Sequence, residues 1–370
     1  RLVGSWHRVC TEDVIINRKL FMRCPMPFAR AASFLCRFVP ASRGVFALLT
    51  LVLTVGTGCP DMMPTPPIEP LVPPAAGQGF QLKTAPITVG AGQENQDCYF
   101  FRVPSSEDVF VHRIILRQRT GSHHLNVFRV GTLKDLRGDD GQVVKGGNDQ
   151  KNPCWVSSNW SDWPLVINSQ SSDPGHETVD YALPTGVAQK FLPGELLMVQ
   201  SHYVNATTQV TPDSGEAWIN FEYIPKAQVT SELGTFFATN QNLRICPGET
   251  KFFEKVCRFA HPATVVAANG HFHSRGTRFA MFAWDETNGK GSQFYDNTSW
   301  SDPVMARDLS VPIPDKGGVL YRCEFTAPAG SCGNPNDGCC FTFGPTVEIS
   351  EHCNAFIYYY PRLAGDNFCF

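Results

Sequence analysis

Short apolar runs separated by turn residues recur from residue 97 onward. They are six to nine residues long and rich in β-branched and aromatic side chains, the composition typical of strands. The predicted strands are residues 97–103, 109–117, 125–130, 196–204, 217–223, 264–272, 279–284, 319–325 and 355–360. Long stretches of helical periodicity are absent, so the pattern predicts an all-β protein of sandwiches or barrels. Because the loops are too short for crossover helices, we expect antiparallel pairing.

The segment before these strands has the composition of an export signal and a tether. Basic residues precede an apolar run that is too short to span a membrane, so we interpret residues 26–58 as a signal peptide and residues 1–25 as over-extended translation. Proline-rich residues 59–79 predict a semi-rigid linker. Gly58-Cys59 matches the end of a bacterial lipoprotein signal. We therefore expect export to the cell envelope with a lipid anchor at Cys59, and plain secretion is the alternative.

Length and charge narrow the function classes. The chain has 370 residues and a formal net charge of -3, which gives no electrostatic case for binding nucleic acid or an anionic membrane surface. The expected partner is a small-molecule or peptide-like substrate. The length suits two domains, which we place at residues 80–227 and 228–370.

Six of the ten histidines occur in four short motifs. The motifs are His123-His124 in GSHHLNVF, His202 in VQSHYVN, His271 and His273 in NGHFHSRG, and His352 in EHCN. The H-x-H pair lies on a predicted strand, where side chains two residues apart share a face and can bind one metal ion. The adjacent pair can share a metal only at a strand end or a bulge, where Gly121-Ser122 would place it.

Each motif also has an ordinary structural explanation. H-x-H pairs arise by chance, and the adjacent pair fits a polar edge or turn. A histidine in an apolar strand, such as His202, is more often a satisfied core or edge group. None of the motifs specifies a metal site alone.

The four motifs in this order resemble those of the type II copper, ascorbate-dependent monooxygenases, which include peptidylglycine alpha-hydroxylating monooxygenase and dopamine beta-monooxygenase. The resemblance extends from residue 87 to residue 370. It also includes QDCYFFRVPSSEDVFVHRIILRQRT before the first motif, LPTGVAQKFLPGELLM before the second and FAHPATVVAA before the third. It implies two tandem antiparallel β-sandwich domains of jelly-roll type, with a cleft between them.

The resemblance implies two copper ions per chain. His123, His124 and His202 would form an electron-storage site in the first domain. His271, His273 and His352 would form the catalytic site in the second, with His352 at the place of the family's methionine ligand. Gln200 and Asn354 also match family positions and are predicted to support the cofactor sites.

Other positions depart from the family. Asn269 and Phe356 stand where peptide-amidating members have an arginine and a tyrosine that hold the peptide carboxylate, so an amidating substrate is not supported. Thioether favours Cu(I), whereas imidazole binds Cu(II) better. The site with His352 is therefore active with altered tuning, inactive but copper-binding, or built for another metal or none. A further alternative is a thioether from Met305 or Met281.

The expected reaction inserts one oxygen atom of O2 into an aliphatic C–H bond, with electrons from ascorbate or another one-electron donor. The sequence does not identify the substrate. The alternative is a non-catalytic exported copper-binding or electron-transfer protein on the same scaffold. A third possibility is a structural or adhesive double sandwich in which the histidines are unrelated.

Fourteen cysteines favour an exported, oxidised protein, so we expect disulfides, although the C-x6-C-C run also fits a metal site. The resemblance implies Cys323–Cys353 and Cys257–Cys369. The first of these would fix the strand that presents His352. Cys98 lacks its family partner, and we pair it with Cys154. The unassigned cysteines are Cys246, Cys332, Cys339 and Cys340.

Overall fold

The computed structural model describes residues 68–170, 175–205, 211–362 and 368–369. These residues form strands joined by turns, with one four-residue α helix, α1, at Pro153–Val156. Short 3-10 helices occur at Ser158–Ser161, Lys226–Gln228 and Pro335–Asp337. The predicted all-β fold is therefore confirmed. Within the described ranges, no helix has the length and apolar character needed to cross a membrane.

Thirteen strands belong to the first half of the described chain. They are β1 Gly79–Lys83, β2 Ile87–Val89, β3 Glu94–Arg102, β4 Val109–Gln118, β5 Ser122–Arg129, β6 Val143–Lys145, β7 Leu165–Ser169, β8 Thr178–Ala182, β9 Val187–Phe191, β10 Leu196–Val204, β11 Thr211–Ser214, β12 Ala217–Tyr223 and β13 Ser231–Glu232. One sheet has the order β1-β12-β4-β9-β13, with β8 also on β4, and a second has the order β6-β3-β10-β5-β7. Strands β2 and β11 form a separate pair.

Twelve strands belong to the second half. They are β14 Gly234–Thr239, β15 Arg244–Ile245, β16 Thr250–Arg258, β17 Ala263–His271, β18 Gly276–Asp285, β19 Gly289–Asn297, β20 Val311–Ile313, β21 Gly317–Thr326, β22 Phe341–Phe343, β23 Ser350–Glu351, β24 Asn354–Tyr360 and β25 Phe368–Cys369. The sheets have the orders β20-β17-β24-β14-β25, β16-β21-β18-β19 and β15-β22-β23.

The two main sheets of each half enclose a core. Phe100 and Val199 from one sheet of the first half share a buried cluster with Leu116 and Phe221 from the other. This arrangement follows from the period of two along a strand, which places alternate side chains on the inner face. The predicted strands match the observed ones closely because this alternation is local.

The two halves are in direct contact. The first core also contains Val266, Phe356 and Tyr358 of the second half. The Tyr358 hydroxyl donates to Asn168 Oδ1 over 2.9 Å and accepts from the Asn168 backbone N–H over 3.0 Å. Strand β13 pairs with β9 of the first half, whereas β14 pairs with β24 of the second. The chain therefore passes between the halves at Leu233.

Five disulfides lie within the described residues, so the expected oxidised state of these cysteines is confirmed. Three pairs match the expectation: Cys98–Cys154, Cys257–Cys369 and Cys323–Cys353. The four unassigned cysteines form Cys246–Cys340 and Cys332–Cys339. The C-x6-C-C run is therefore no metal site in this structure.

The predicted signal peptide, Cys59 and the first part of the predicted linker lie outside the described residues. The end of that linker is described and contacts the first sheet. Leu71 O accepts from Gln81 Nε2 over 2.8 Å, and Val72 O accepts from Asn220 Nδ2 over 2.7 Å.

Candidate metal centre

The six histidines singled out in the sequence lie in one cluster where the two halves meet. The ring centroids of His123 and His202 are 4.9 Å apart, and those of His123 and His271 are 4.8 Å apart. The predicted cleft is present as a pocket between the halves. Beside this pocket, histidines of the two halves are in ring contact.

A bulge allows the adjacent pair in the first half to face the same region. On the paired strands β10 and β5, His202 lies opposite His124, but Tyr203 lies opposite Ser122. His123 is therefore the extra residue of a bulge, as the adjacent motif requires. The rings of His123 and His124 have centroids 5.3 Å apart.

The other three histidines lie at strand ends in the second half. Strand β17 ends at His271, and His273 follows two residues later. Their ring centroids are 5.3 Å apart. His352 lies between β23 and β24, with its ring 4.4 Å from that of His273 and 5.1 Å from that of His271.

The grouping of the histidines differs from the predicted one. His123, His271 and His273 offer ligand atoms that all lie within 4.8 Å of one another, so a histidine of the first half joins two of the second. His124 and His202 form a separate contact, with Nε2 of the former 3.2 Å from Nδ1 of the latter. His352 also contacts His271 and His273, and the assignment of three histidines to each of two copper sites stays a prediction.

Hydrogen bonds set the tautomers of the second-half histidines. His271 Nδ1 lies 2.6 Å from Gln170 Oε1, and His273 Nδ1 lies 2.9 Å from the carbonyl oxygen of Ser350. Because both partners are oxygen acceptors, each Nδ1 carries the proton and donates. The Nε2 atoms of these two rings therefore carry lone pairs, which is the form that binds a metal.

The first-half pair belongs to a continuous hydrogen-bonded chain. Asn126 Nδ2 donates to His124 Nδ1 over 3.3 Å. His124 Nε2 then donates to His202 Nδ1, and His202 Nε2 donates to Glu94 Oε2 over 3.0 Å. Each ring nitrogen of this pair thus has a protein partner.

Burial keeps the imidazoles neutral. Desolvation lowers the pKa of His202 to about 3 and that of His273 to about 4. It also lowers the pKa of the other four rings well below the usual value. Burial raises the pKa of Glu94. The contact between His202 and Glu94 is therefore a hydrogen bond from a neutral imidazole, not an ion pair.

Two buried nitrogen atoms fit a metal ion. Among the residues that the structure describes, none is a hydrogen-bond partner of His123 Nε2 or His273 Nε2. An unpaired buried polar atom costs about 1–3 kcal/mol, which coordination would offset. Imidazole nitrogens lie about 2 Å from a transition metal, so two ligands of one ion lie about 3 Å apart. His352 Nδ1 donates to His271 Nε2 over 3.0 Å, and a metal ion held by both rings would replace this hydrogen bond.

Sequence reasoning missed three residues that support the cluster. Gln170 and Glu94 contact ring nitrogens directly. Buried Glu351 accepts from the backbone N–H groups of His273 and Arg275, each over 2.9 Å, and so fixes the turn after the H-x-H motif. Its burial raises its pKa to about 8. Glu351 could have been noticed as the neighbour of His352, but no local signal marks the other two.

A cavity of about 390 Å³ opens between the halves beside the cluster. His124, His271 and His352 line it. So do Gln200 and Asn354, the two predicted cofactor-site residues. Its aromatic wall comprises Phe128, Trp155, Trp160, Phe237, Phe343 and Phe356.

The alternative thioether donors lie elsewhere. Met281 is buried in the second core and Met305 in the first, and neither lines this cavity. Asn269 Oδ1 accepts from the Tyr295 hydroxyl over 3.1 Å, and Phe356 stacks on Phe237. The positions of the family's carboxylate-binding residues are thus occupied by groups without positive charge.

Comparison with known proteins gives no close relative. No protein-family model matches the chain, and no curated protein matches its sequence. Similar solved structures include the STIV MCP, with 7% identity, a TM-score of 0.31 and coverage of 77% of this chain and 97% of that one. The major capsid protein P2 from Bacteriophage PM2 has 8% identity, a TM-score of 0.27 and coverage of 78% and 100%.

A third similar structure is the CBM22-1-CBM22-2 tandem domain of Xyn10C from Paenibacillus barcinonensis. It has 9% identity, a TM-score of 0.18 and coverage of 77% of this chain and 87% of that one. At these values the likenesses carry no argument about function.

The assignment to the copper monooxygenase family is wrong, since no family model and no curated protein matches the chain. The resemblance rested on four short motifs, their order along the chain and the segments that precede them. Motif order does not determine how rings group in space. Here His123 joins His271 and His273 instead of forming a site with His124 and His202 alone.

Proposed function

We propose that the protein is a copper-binding oxidoreductase. Copper held by the histidine cluster would oxidise a small molecule bound in the adjacent cavity. The observation that carries this proposal is the pair of buried nitrogens, His123 Nε2 and His273 Nε2, that have no partner among the described residues and are grouped with His271. No residue in the described part of the chain satisfies these two atoms, and a metal ion would.

The donor set favours copper. Neutral imidazole is a ligand for copper, zinc, iron and nickel, and among divalent ions Cu²⁺ binds such sites most tightly. The lowered pKa values keep all six rings in the neutral, ligating form at neutral pH. Gln170 and Ser350 orient their rings by accepting the Nδ1 protons, which raises ligand basicity.

The cluster offers two unequal positions. The first would be held by His123, His271 and His273, with His352 in contact. The second would be held by His124 and His202, whose nitrogens already have protein partners. Binding at the second position must displace the hydrogen bond between the two rings, so we expect weaker affinity there.

The cavity supports an enzymatic function over simple copper carriage. Three of the six histidines line it, so a molecule bound in the cavity would contact the ligands. When bound, copper would supply one-electron redox chemistry with O2. The proposed net reaction converts R–H, O2, two electrons and two protons into R–OH and water, with ascorbate or another one-electron donor supplying the electrons.

The first test is a copper titration of the full chain followed by metal analysis after exhaustive dialysis. We expect two equivalents that bind with different affinities, and His273→Ala should remove the tighter one. His261→Ala, which removes an exposed histidine, is the matched control and should bind as the unaltered protein does.

Oxygen consumption with ascorbate then separates the two candidate functions. Substrate-independent oxygen uptake by the copper-loaded chain, lost in His273→Ala and kept in His261→Ala, would support the oxidoreductase. Stoichiometric copper without oxygen uptake would indicate a carrier or electron-transfer protein. Failure to retain copper, or preference for zinc over copper, would refute the proposal.

A further inference from the structure

Two disulfides of the second half lie next to each other at the end of a small sheet. Cys339 and Cys340 are neighbours in the sequence, and they are bonded to Cys332 and Cys246 respectively. The backbone N–H of Cys340 donates to the Asp337 carbonyl oxygen over 3.1 Å, which keeps this part of the chain in a tight turn. The two bonds therefore share one short segment, and a change in one acts directly on the other.

Exposure decides whether a thiol in solution can reach a disulfide. Of the ten cysteines in the described ranges, Cys332 alone is exposed. The bonds Cys98–Cys154 and Cys323–Cys353, by contrast, join residues with no accessible surface. Because thiol–disulfide exchange requires a thiolate to attack a sulfur atom, the Cys332–Cys339 bond should react first.

Opening the Cys332–Cys339 bond removes little from the rest of the fold. The bond spans a sequence separation of only 7 residues, and short loops gain the least from a cross-link. Cys339 also has a φ of 61°, in the left-handed region that side-chain-bearing residues rarely adopt. Reduction would release the backbone of Cys339 from one of the restraints that hold it there.

A guanidinium favours the reduced form of the second bond. Arg244 Nη1 donates to Cys246 Sγ over 3.0 Å. Two other nitrogens of Arg244 donate to Asp337 over 3.0 and 3.1 Å, which fixes the guanidinium beside the sulfur. A positive group next to a cysteine stabilises its thiolate, the form released when a disulfide is reduced. Asp337 offsets part of this charge, so we expect a modest effect.

The small sheet β15-β22-β23 connects these bonds to the histidine cluster. Cys246 follows β15 and Cys340 precedes β22, so their bond joins the ends of two paired strands. Strand β22 also pairs with β23. On β23, the carbonyl oxygen of Ser350 and the side chain of Glu351 accept hydrogen bonds from His273. Loss of the Cys246–Cys340 bond would therefore loosen the sheet that orients His273.

We propose that the two bonds form a site of thiol–disulfide exchange whose opening weakens the metal position at His273. A thiolate forms a bond to one cysteine sulfur, and the other cysteine leaves as a thiolate and takes up a proton. A second thiol then releases the first cysteine, so two thiols become one disulfide for each protein bond that is reduced. The exchange is independent of the proposed function, whereas its effect on metal binding rests on that function.

The first test identifies which bonds open when the copper-free full chain is treated with glutathione. Thiols that are already free are blocked beforehand, and newly formed thiols are alkylated and located by mass spectrometry. We expect Cys332–Cys339 to open at least about tenfold faster than Cys98–Cys154 and Cys323–Cys353, with Cys246–Cys340 in between. Equal rates for all four bonds, or opening of Cys332–Cys339 only after the chain unfolds, would overturn the proposal.

A variant tests the role of the guanidinium. Arg244→Gln should lower the equilibrium constant for reduction of Cys246–Cys340 about threefold, because the thiolate loses its positive neighbour. Arg278→Gln removes a guanidinium that pairs with Asp296 on another sheet, and it is the matched control. An unchanged equilibrium constant in folded Arg244→Gln would count against the place of Cys246–Cys340 in the exchange site.

A copper titration tests the effect on the metal position. Cys246→Ser with Cys340→Ser should weaken the tighter copper equivalent about tenfold, because the sheet that orients His273 loses its cross-link. Cys332→Ser with Cys339→Ser keeps that cross-link and should bind copper as the unaltered chain does. If the first double variant does not fold, the unaltered chain with its Cys246 and Cys340 thiols reduced and alkylated takes its place.

The outcomes distinguish this inference from the proposed function. Ordered opening of the bonds with unchanged copper affinity would refute the link to the metal position. Ordered opening in a chain that retains no copper would refute the oxidoreductase and leave the exchange site.

Discussion

The two groups of histidines contain the same side chain but differ in what surrounds it. His124 and His202 lie in a hydrogen-bonded chain that begins at Asn126 and ends at Glu94. His123 and His273 each leave Nε2 buried without a partner. The first group is therefore satisfied by the protein, whereas the second leaves two ring nitrogens that no described residue satisfies.

This difference shows that counting histidines does not predict metal affinity. A ring nitrogen is a good ligand when it has no partner of its own and the opposite nitrogen donates to an oxygen, as in His273. When both nitrogens already have partners, binding a metal must first break a hydrogen bond. The supporting residues, not the histidines themselves, rank the two positions.

The largest predicted effect is on the stability of the copper-free protein, and it comes from the burial that both groups of histidines share. An unfolded histidine has a pKa of about 6.5, whereas folding lowers the pKa of His202 to about 3 and that of His273 to about 4. Below pH 6.5 the unfolded chain therefore binds more protons than the folded one, so the stability of the copper-free protein falls as the pH falls.

Below pH 6.5 each buried ring contributes up to about 1.4 kcal/mol per pH unit. Burial raises the pKa of Glu351 to about 8, so this carboxyl gains a proton only in the folded chain and opposes the loss. Because six rings outweigh one carboxyl, lowering the pH from 7.5 to 5.5 should still cost several kcal/mol. Urea unfolding at these two pH values measures the loss. His273→Ala should reduce the pH dependence, and His261→Ala should not. If the free energy of unfolding were the same at both pH values, the histidines would not be buried in the neutral form.

The next largest effect is on copper affinity, and it distinguishes the two groups of histidines. His273→Ala removes a lone pair of the first position and should weaken the tighter copper equivalent by at least about 100-fold, because three ligands become two. His202→Ala should leave that equivalent nearly unchanged and abolish the weaker one. Calorimetric titration of both variants measures this. Equal losses in both would show that the six histidines act as a single site.

A smaller effect concerns Glu94, the carboxylate at the end of the hydrogen-bonded chain. Glu94→Gln keeps an acceptor for His202 but removes the charge. We expect the weaker copper equivalent to lose about tenfold in affinity and the tighter one to stay the same. Glu107→Gln, at an exposed position, is the control. Loss of the tighter equivalent instead would place Glu94 beside the other metal position.

The smallest effect concerns His352, which contacts His271 and His273 at the cavity. His352→Met exchanges imidazole for thioether, which favours Cu(I) over Cu(II). The reduction potential of the tighter copper should therefore rise, as measured by a spectroscopic redox titration. An unchanged potential would show that His352 is not a ligand.

The sequence alone determined the nine longer strands that were predicted and the all-β fold, because each depends on neighbours a few residues apart. For the adjacent histidines it left a strand end or a bulge open, and the structure has the bulge. It also indicated the disulfide-bonded state and three of the five pairs. The unassigned four cysteines required the structure, since nothing local distinguishes Cys246 as the partner of Cys340 from its alternatives.

Only the tertiary structure decided how the histidines group and which of them are satisfied. Gln170 reaches His271 from 101 positions away, and Glu94 reaches His202 from 108. Such contacts depend on how sheets of the two halves pack, and neither period nor motif order encodes that packing. The sequence places imidazoles on strands, but the contact between the halves determines which ring nitrogens meet.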